Sequence, residues 1–332
     1  MDKSKQENNL TRRNLLTLGT SLLGATLLGT TSPIALAKAP FLGVYSPTFF
    51  RFKLGEFEIT TISDGEAVIK AIHPIFGGNT TKEEVNKVLK SNLLPENLFN
   101  PFFTPTIINT GKEVILFDTG NGDDGFAKRP TAGILVKQLA AAGFKTDDID
   151  IVVISHGHSD HIGGIKEKEE EVFKNATYVI SEVEFDFWNN KNNLPKGLEQ
   201  FSKVFDNATK GIKEKFKTIK AGEDVAPGVK AIATHGHTPG HLSFHIESKG
   251  QQALILNDCV HHHILSYAHP EWHFAFDMDK EKGAETRKNI LDMCTKDKLP
   301  VIGFHMPFPS VGYIEPRKAG GYRWVPHSYQ LQ

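Results

Sequence analysis

Six consecutive residues, His156-Gly157-His158-Ser159-Asp160-His161, constrain this 332-residue chain more than any other feature. They follow the apolar run Ile151-Val152-Val153-Ile154, which reads as a buried strand. Three imidazoles and a carboxylate packed this closely at a strand end form a metal-ligand set. Two histidines at i and i+2 on extended backbone point the same way, so both reach one ion. Asp160 and His161 lie beyond them, where the chain turns toward Gly163-Gly164, within reach of a second ion.

The remaining chain supplies further ligands of the same kind, each just after a predicted strand. Asp118 ends Leu116-Phe117-Asp118-Thr119-Gly120, and His237 follows Ile232-Ala233-Thr234. Asp258 follows Leu254-Ile255-Leu256-Asn257, and His305 follows Ile302-Gly303-Phe304. Strand ends gather at one edge of a sheet, so these groups can converge there. His235, His241 and His245 share a segment with His237 and read as structural or supporting groups. The run His261-His262-His263 tempts a third metal site, but one of its side chains is better placed as pocket lining.

Charge and length narrow the function classes. A formal net charge of -1 argues against a nucleic-acid partner held by a broad basic surface. Residues 1–37 read as a targeting segment rather than part of the fold. Charged residues end at Arg12-Arg13, and 14–37 is uncharged and rich in Leu, Gly, Thr and Ala. Ala35-Leu36-Ala37 fits a cleavage site, and Thr11-Arg12-Arg13-Asn14-Leu15-Leu16 resembles the twin-arginine export signal. The expectation is an exported protein, periplasmic or secreted, without stable membrane association after cleavage. Cys259 and Cys294 cannot make a disulfide framework and read as two buried thiols, with pairing left open.

Strands alternate irregularly with helices through residues 38–332, with no linker-like stretch, which predicts one layered α/β domain. Strands are expected at 57–62, 106–109, 113–117, 151–154, 178–180, 229–234, 241–247, 253–256 and 301–304. Helices are expected at 81–92, 131–142, around Phe185, Phe187 and Trp188, at 200–217 and at 280–293. Residues 41–52 read as an aromatic loop, and Asp64-Gly65 as a turn.

Taken in order, these segments resemble the metallo-β-lactamase superfamily over nearly all of the mature chain. That resemblance implies an αβ/βα four-layer sandwich with the metal site along one edge. It implies that His156, His158 and His237 bind a first ion, that Asp160, His161 and His305 bind a second, and that Asp258 bridges both. Asp258, Asp160 and His305 are then also the catalytic candidates. Asp118 would orient a ligand histidine by accepting its distal N–H. The ions would be two divalent metals, zinc first, with iron, manganese or cobalt as substitutes. Two metals about 3.5–4 Å apart can share a hydroxide at neutral pH, which is the expected nucleophile.

Other segments resemble the branch containing methyl parathion hydrolase and related lactonases. They are Asp258-Cys259-Val260-His261, Phe276-Asp277-Met278-Asp279 before a helix with Arg287, Phe304-His305-Met306-Pro307-Phe308-Pro309, and Gly320-Gly321-Tyr322-Arg323-Trp324-Val325-Pro326. Only 27 residues follow His305, too few for the helical domain of thioesterase members. The resemblance implies cleavage of lactones, esters or organophosphate triesters, small-molecule partners, and a homodimer. The alternatives are a β-lactamase or other amide hydrolase, and a non-catalytic exported metal-binding protein. Phe102, Phe103, Trp188, His261, Trp272 and Phe308 are the pocket candidates, with Phe185, Phe201 and Phe274 as further aromatics.

Overall fold

The structure, a computed structural model, describes residues 47–331. The expected export signal at 1–37 and the start of the aromatic loop at 41–46 lie outside them. Two seven-stranded sheets make the centre of the molecule. The first holds β1 (Phe49–Leu54), β2 (Phe57–Ile62), β3 (Thr106–Asn109), β4 (Val114–Phe117), β5 (Ile151–Ile154), β6 (Thr177–Ser181) and β7 (Phe216–Ile219) in that spatial order. The second holds β8 (Asp224–Ala226), β9 (Val229–Ala233), β10 (Leu242–Ser248), β11 (Gln251–Asn257), β12 (Val301–Gly303), β13 (Val311–Pro316) and β14 (Tyr322–Pro326), again in order. β1 to β4 pair antiparallel, while β4 to β7 run parallel. In the second sheet only β11 and β12 are parallel.

The period-2 pattern of the strands builds the layers. Val153 in β5 faces between the sheets, where it joins Phe117, Phe244, Ile255 and Ile302 in one buried cluster. Its neighbours Val152 and Ile154 face outward and pack with Leu139, Trp188 and Phe205. Those residues lie on or beside α2 (Leu135–Ala141), α4 (Glu182–Asn189) and α5 (Glu199–Thr209), with the short α3 (Ser159–Ile162) between. β11 alternates likewise: Ala253 and Ile255 face the first sheet, while Leu254 and Leu256 meet Ile290, Leu291 and Cys294 of α7 (Lys280–Asp297). A strand buried on both faces reads as a continuous apolar run for this reason. The result is helix, sheet, sheet, helix, as the family resemblance implied.

α1 (Lys82–Ser91) begins where expected. Thr81 Oγ1 accepts from the Glu84 amide, the Glu84 side chain reaches back to the Thr81 amide, and Val85 and Leu89 are the buried face. The remaining helix, α6 (Leu265–Ala268), is one short turn. Among the described residues no helix is long and apolar enough to cross a membrane.

Several expectations need correction. Residues 49–52 begin an edge strand rather than ending a loop. Helix 131–142 starts only at Leu135, because Ala132 is tied to Gly65 in an isolated bridge. The expected helix 200–217 stops at Thr209, since Gly211 sits at φ +75°, and 216–219 forms the edge strand β7. Strands β13 and β14 have no counterpart among the expected elements. Asp64, read as a turn residue, is fully buried and accepts from Asn121 N, Asn121 Nδ2, Gly133 N and Leu135 N. It pins two loops beside the end of β4. Cys259 and Cys294 are free and buried in the same cluster, and burial pushes their thiols up to about 11 and about 12.

Candidate metal centre

Five strand ends deliver the site to one edge of the sandwich. β4 leads to Asp118, β5 to His156–His161, β9 to His237, β11 to Asp258 and β12 to His305. The Leu242 amide donates to Ser155 O at 3.2 Å, which joins the two sheets at this edge. Two of the flanking residues carry left-handed backbone without being glycine, Asp118 at φ +58° and Asn257 at φ +48°. Such conformations persist only where surroundings hold them, and they cluster at functional sites.

Two groups of ligand atoms result. His156 Nε2 lies 3.0 Å from His158 Nδ1, which lies 2.9 Å from His237 Nε2. In the second group, Asp160 Oδ2 lies 3.6 Å from both His161 Nε2 and His305 Nε2. Asp258 stands between them. Its Oδ2 is 3.3 Å from His237 Nε2 and 3.1 Å from His305 Nε2, and its Oδ1 is 3.3 Å from His161 Nε2. Ligand atoms about 2.0–2.2 Å from one tetrahedral ion sit roughly 3.3–3.6 Å from each other, so the spacings match coordination.

Hydrogen bonding on the far side of each ring gives an independent test of fit. His161 Nδ1 lies 2.8 Å from Asp118 Oδ2, His237 Nδ1 3.0 Å from Asp277 Oδ1, and His305 Nδ1 2.8 Å from Phe102 O. A ring that donates from Nδ1 keeps a lone pair on Nε2, the tautomer a metal needs. Those lone pairs face one another. His161 Nε2 and Asp258 Oδ1 are moreover buried with no hydrogen-bond partner. Buried polar atoms without partners are costly, and a shared cation satisfies them together. The residues therefore fit two divalent ions.

Electrostatics point the same way. Burial works downward on His161 and His305, but Asp258, Asp160 and, for His161, Asp118 overcome it and push both rings up. Burial works upward on Asp258, yet His305 and His161 hold it well below the usual carboxylate range. The second group thus attracts positive charge. Burial and the neighbouring imidazoles hold His156 and His158 well below the ordinary histidine range, as unprotonated donors.

Three supporting residues, Glu184, Asp277 and Arg287, were not legible as such, while His241 reads from sequence as a structural or supporting group. Glu184 accepts from both ligand loops, as detailed below. Asp277 accepts from His237, and the buried Arg287 lies 3.4 Å from Asp277 Oδ2 while also donating to Pro270 O and Trp272 O. His241 Nε2 accepts from the Asp258 amide at 3.1 Å, so it positions the bridging carboxylate. Glu184 had a usable signal, because it follows a strand end as Asp118 does.

The cleft over the metal centre encloses about 460 Å³, part of it open to solvent. Its floor is His158, Asp160, His237, Asp258, His261 and His305, and its walls are Ile69, Phe99, Pro101, Phe103, Phe126, Phe201, Phe274 and Phe276. Of the pocket candidates, Phe103, His261, Phe201 and Phe274 line the cleft, together with Ile69, Phe99, Pro101, Phe126 and Phe276, which sequence reasoning does not single out. The other pocket candidates sit elsewhere. Trp188 is wholly buried in the helix layer, and Phe185 meets Phe205 edge-on and Phe216 at a tilt. Trp272 stacks on His269, Phe102 lines a neighbouring cavity, and Phe308 is half-buried and does not line the cleft. His262 stacks between Phe99 and His263, and its Nδ1 accepts from Ile264 N and Leu265 N, so it serves structure.

Comparisons with known proteins agree with this geometry. Residues 104–305 match the family model described as the metallo-beta-lactamase superfamily. An N-acyl homoserine lactonase of Bacillus cereus is 26% identical over 234 residues, covering 65% of this chain and 85% of the relative. Among solved structures, AidC is a dizinc quorum-quenching lactonase in complex with a product, N-hexanoyl-L-homoserine. It is similar at a TM-score of 0.78 and 30% identity, covering 85% of this chain and 98% of that one. The hydrolase AbOPH, of the beta lactamase superfamily, is similar at a TM-score of 0.79 and 27% identity, covering 86% and 100%.

Proposed function

This chain belongs to the metallo-beta-lactamase superfamily and is a metal-dependent hydrolase, and from that premise we propose that it cleaves uncharged lactones and esters bearing apolar substituents. Neutral organophosphate triesters are the second substrate class that suits the same cleft. The observation that carries the reading is the lining of the cleft: eight apolar wall residues and, among the described residues, no Lys or Arg. A β-lactam antibiotic, a phosphodiester or a glutathione thioester brings a permanent negative charge into the site. Desolvating that charge against Phe and Pro walls, with no Lys or Arg in the lining to pair it away from the metal floor, is costly. An acyl-homoserine lactone or an aryl ester brings none.

Two divalent ions, zinc in our reading, would supply an acidified water and polarise the carbonyl or phosphoryl oxygen when bound. The protein's own groups do the rest. Asp160 and Asp258 lie on the cleft floor, so beside holding the ions their carboxylates could accept from a water held for attack. His261 lies flat on Phe274, with ring centroids 3.7 Å apart, and neither of its nitrogens has a partner. It is placed to donate to a substrate oxygen. The aromatic walls exclude bulk water and hold the acyl or aryl group.

We propose further that residues 1–37 export the protein, since a twin-arginine segment suits a protein that folds and takes up metal first. Rates on an N-acyl homoserine lactone, a paraoxon-like triester and nitrocefin test the substrate reading. Turnover of the first two at least about a hundredfold above nitrocefin supports it, and preference for nitrocefin overturns it.

A further inference from the structure

Glu184 lies in the first turn of α4 with its side chain wholly buried. Its Oε1 accepts from the Gly157 amide at 2.8 Å and from Trp188 Nε1 at 2.6 Å. Its Oε2 accepts from Thr238 Oγ1 at 2.7 Å and from the Gly240 amide at 2.9 Å. Gly157 stands between His156 and His158, and Thr238 follows His237. One carboxylate therefore ties together the two loops that supply the first ligand trio, one from each sheet.

The fit leaves no slack. A Cβ at Gly157 would come within 2.3 Å of Trp188 Nε1, and a Cβ at Gly240 within 2.2 Å of the Glu184 amide. Among the described residues no cationic side chain pairs with Glu184. A buried carboxylate is an expensive way to fill a core beside Trp188, where an apolar residue would pack as well. What the carboxylate adds is acceptor positions aimed at four donors, two of them backbone amides of the two ligand loops. Asp160, His161 and His305, which form the second trio, make no contact with it among the described hydrogen bonds.

We infer that Glu184 is a positioning residue for the first metal site, setting the separation of His156 and His158 from His237 and so that site's affinity. The inference rests on the two-metal reading above. Supporting groups behind metal ligands commonly govern affinity by about 10–100-fold.

Cobalt(II) titration of the metal-stripped full chain, followed by absorption spectroscopy, tests it. His237→Ala and His305→Ala serve as references that mark which spectral component belongs to which trio. Glu184→Gln, which turns an amide donor toward two existing donors, should weaken the component lost in His237→Ala by about 10–100-fold, and the other by less than about threefold. Thr238→Val should weaken the same component by less. Binding unchanged in Glu184→Gln, or both components weakened equally, overturns the inference. Should Glu184→Gln fail to fold, Thr238→Val and Trp188→Phe decide by the same criterion. Failure of the parent protein to bind two cobalt ions would instead contradict the metal-centre reading itself.

Discussion

Asp118 Oδ2 lies 2.8 Å from His161 Nδ1, and Asp118 holds left-handed backbone at φ +58° to reach it. The same carboxylate accepts from Ser155 N and Ser155 Oγ, both at 2.8 Å. It therefore fixes the ring tautomer and the start of the ligand loop together. Asp118→Ala is expected to lower second-site metal affinity and kcat/KM by about 10–100-fold. Metal content after dialysis and initial rates at saturating zinc check both. Unchanged values would remove Asp118 from the site.

Arg287 and Asp277 form a buried ion pair behind His237. Arg287→Met leaves Asp277 charged and unpaired in the interior, which typically costs about 3–5 kcal/mol. Chemical denaturation of the metal-stripped protein measures it. Arg287→Met/Asp277→Leu should recover much of that stability while leaving metal affinity low, because His237 then lacks its acceptor.

Phe126 and Phe276 are partly exposed, at 44% and 39%, at the mouth of the cleft. Large aromatics left in water at a pocket rim have a use in covering substrate. Phe276→Ala is expected to raise KM for long-chain acyl lactones by about 5-fold, corresponding to about 1 kcal/mol of lost apolar burial, with little change for short chains. Equal effects on both would mean that the acyl group does not pass this ring.

The metal-site residues were legible because their signal is local and chemical. Histidines at i and i+2 after a β-branched run need no tertiary information, and Asp118, Asp258 and His305 follow apolar strands that announce themselves. The cleft was not legible. Phe99 and Phe126 sit in loops without periodicity, and Phe201 lies on a helix whose other aromatic, Phe205, is core. Nothing in composition separates such neighbours. Trp188 reads as a pocket residue because a bulky amphipathic ring suits both places, yet its N–H is spent on Glu184. Strands β13 and β14 carry no clear strand signal, because Glu315, Arg323 and two prolines break their apolar pattern. β7 is a lysine-bearing edge strand, a composition that resembles a surface helix.

Asp64 offers a pH test outside the ligand set. Burial pushes its carboxyl up to about 6, against four N–H donors that pull it down. Its native pKa lies above the unfolded value, so the folded state holds the extra proton between about pH 4 and 6. Its contribution to stability is then full below about pH 4 and is lost as pH rises through 6, by about 3 kcal/mol for a shift of about two units. The stability of the parent relative to Asp64→Asn should fall across that window, read by urea denaturation at matched metal content. A constant difference would show that the donors hold Asp64 ionised throughout.

The central proposal is that lactone hydrolysis by this chain requires two metal ions. Chelator-stripped protein should be inactive on an N-acyl homoserine lactone, and activity should return as zinc is added, saturating at two equivalents. His158→Ala and Asp258→Ala should each fail to recover either full occupancy or turnover. Full activity in the stripped protein, or full zinc occupancy with turnover retained in both variants, would contradict it.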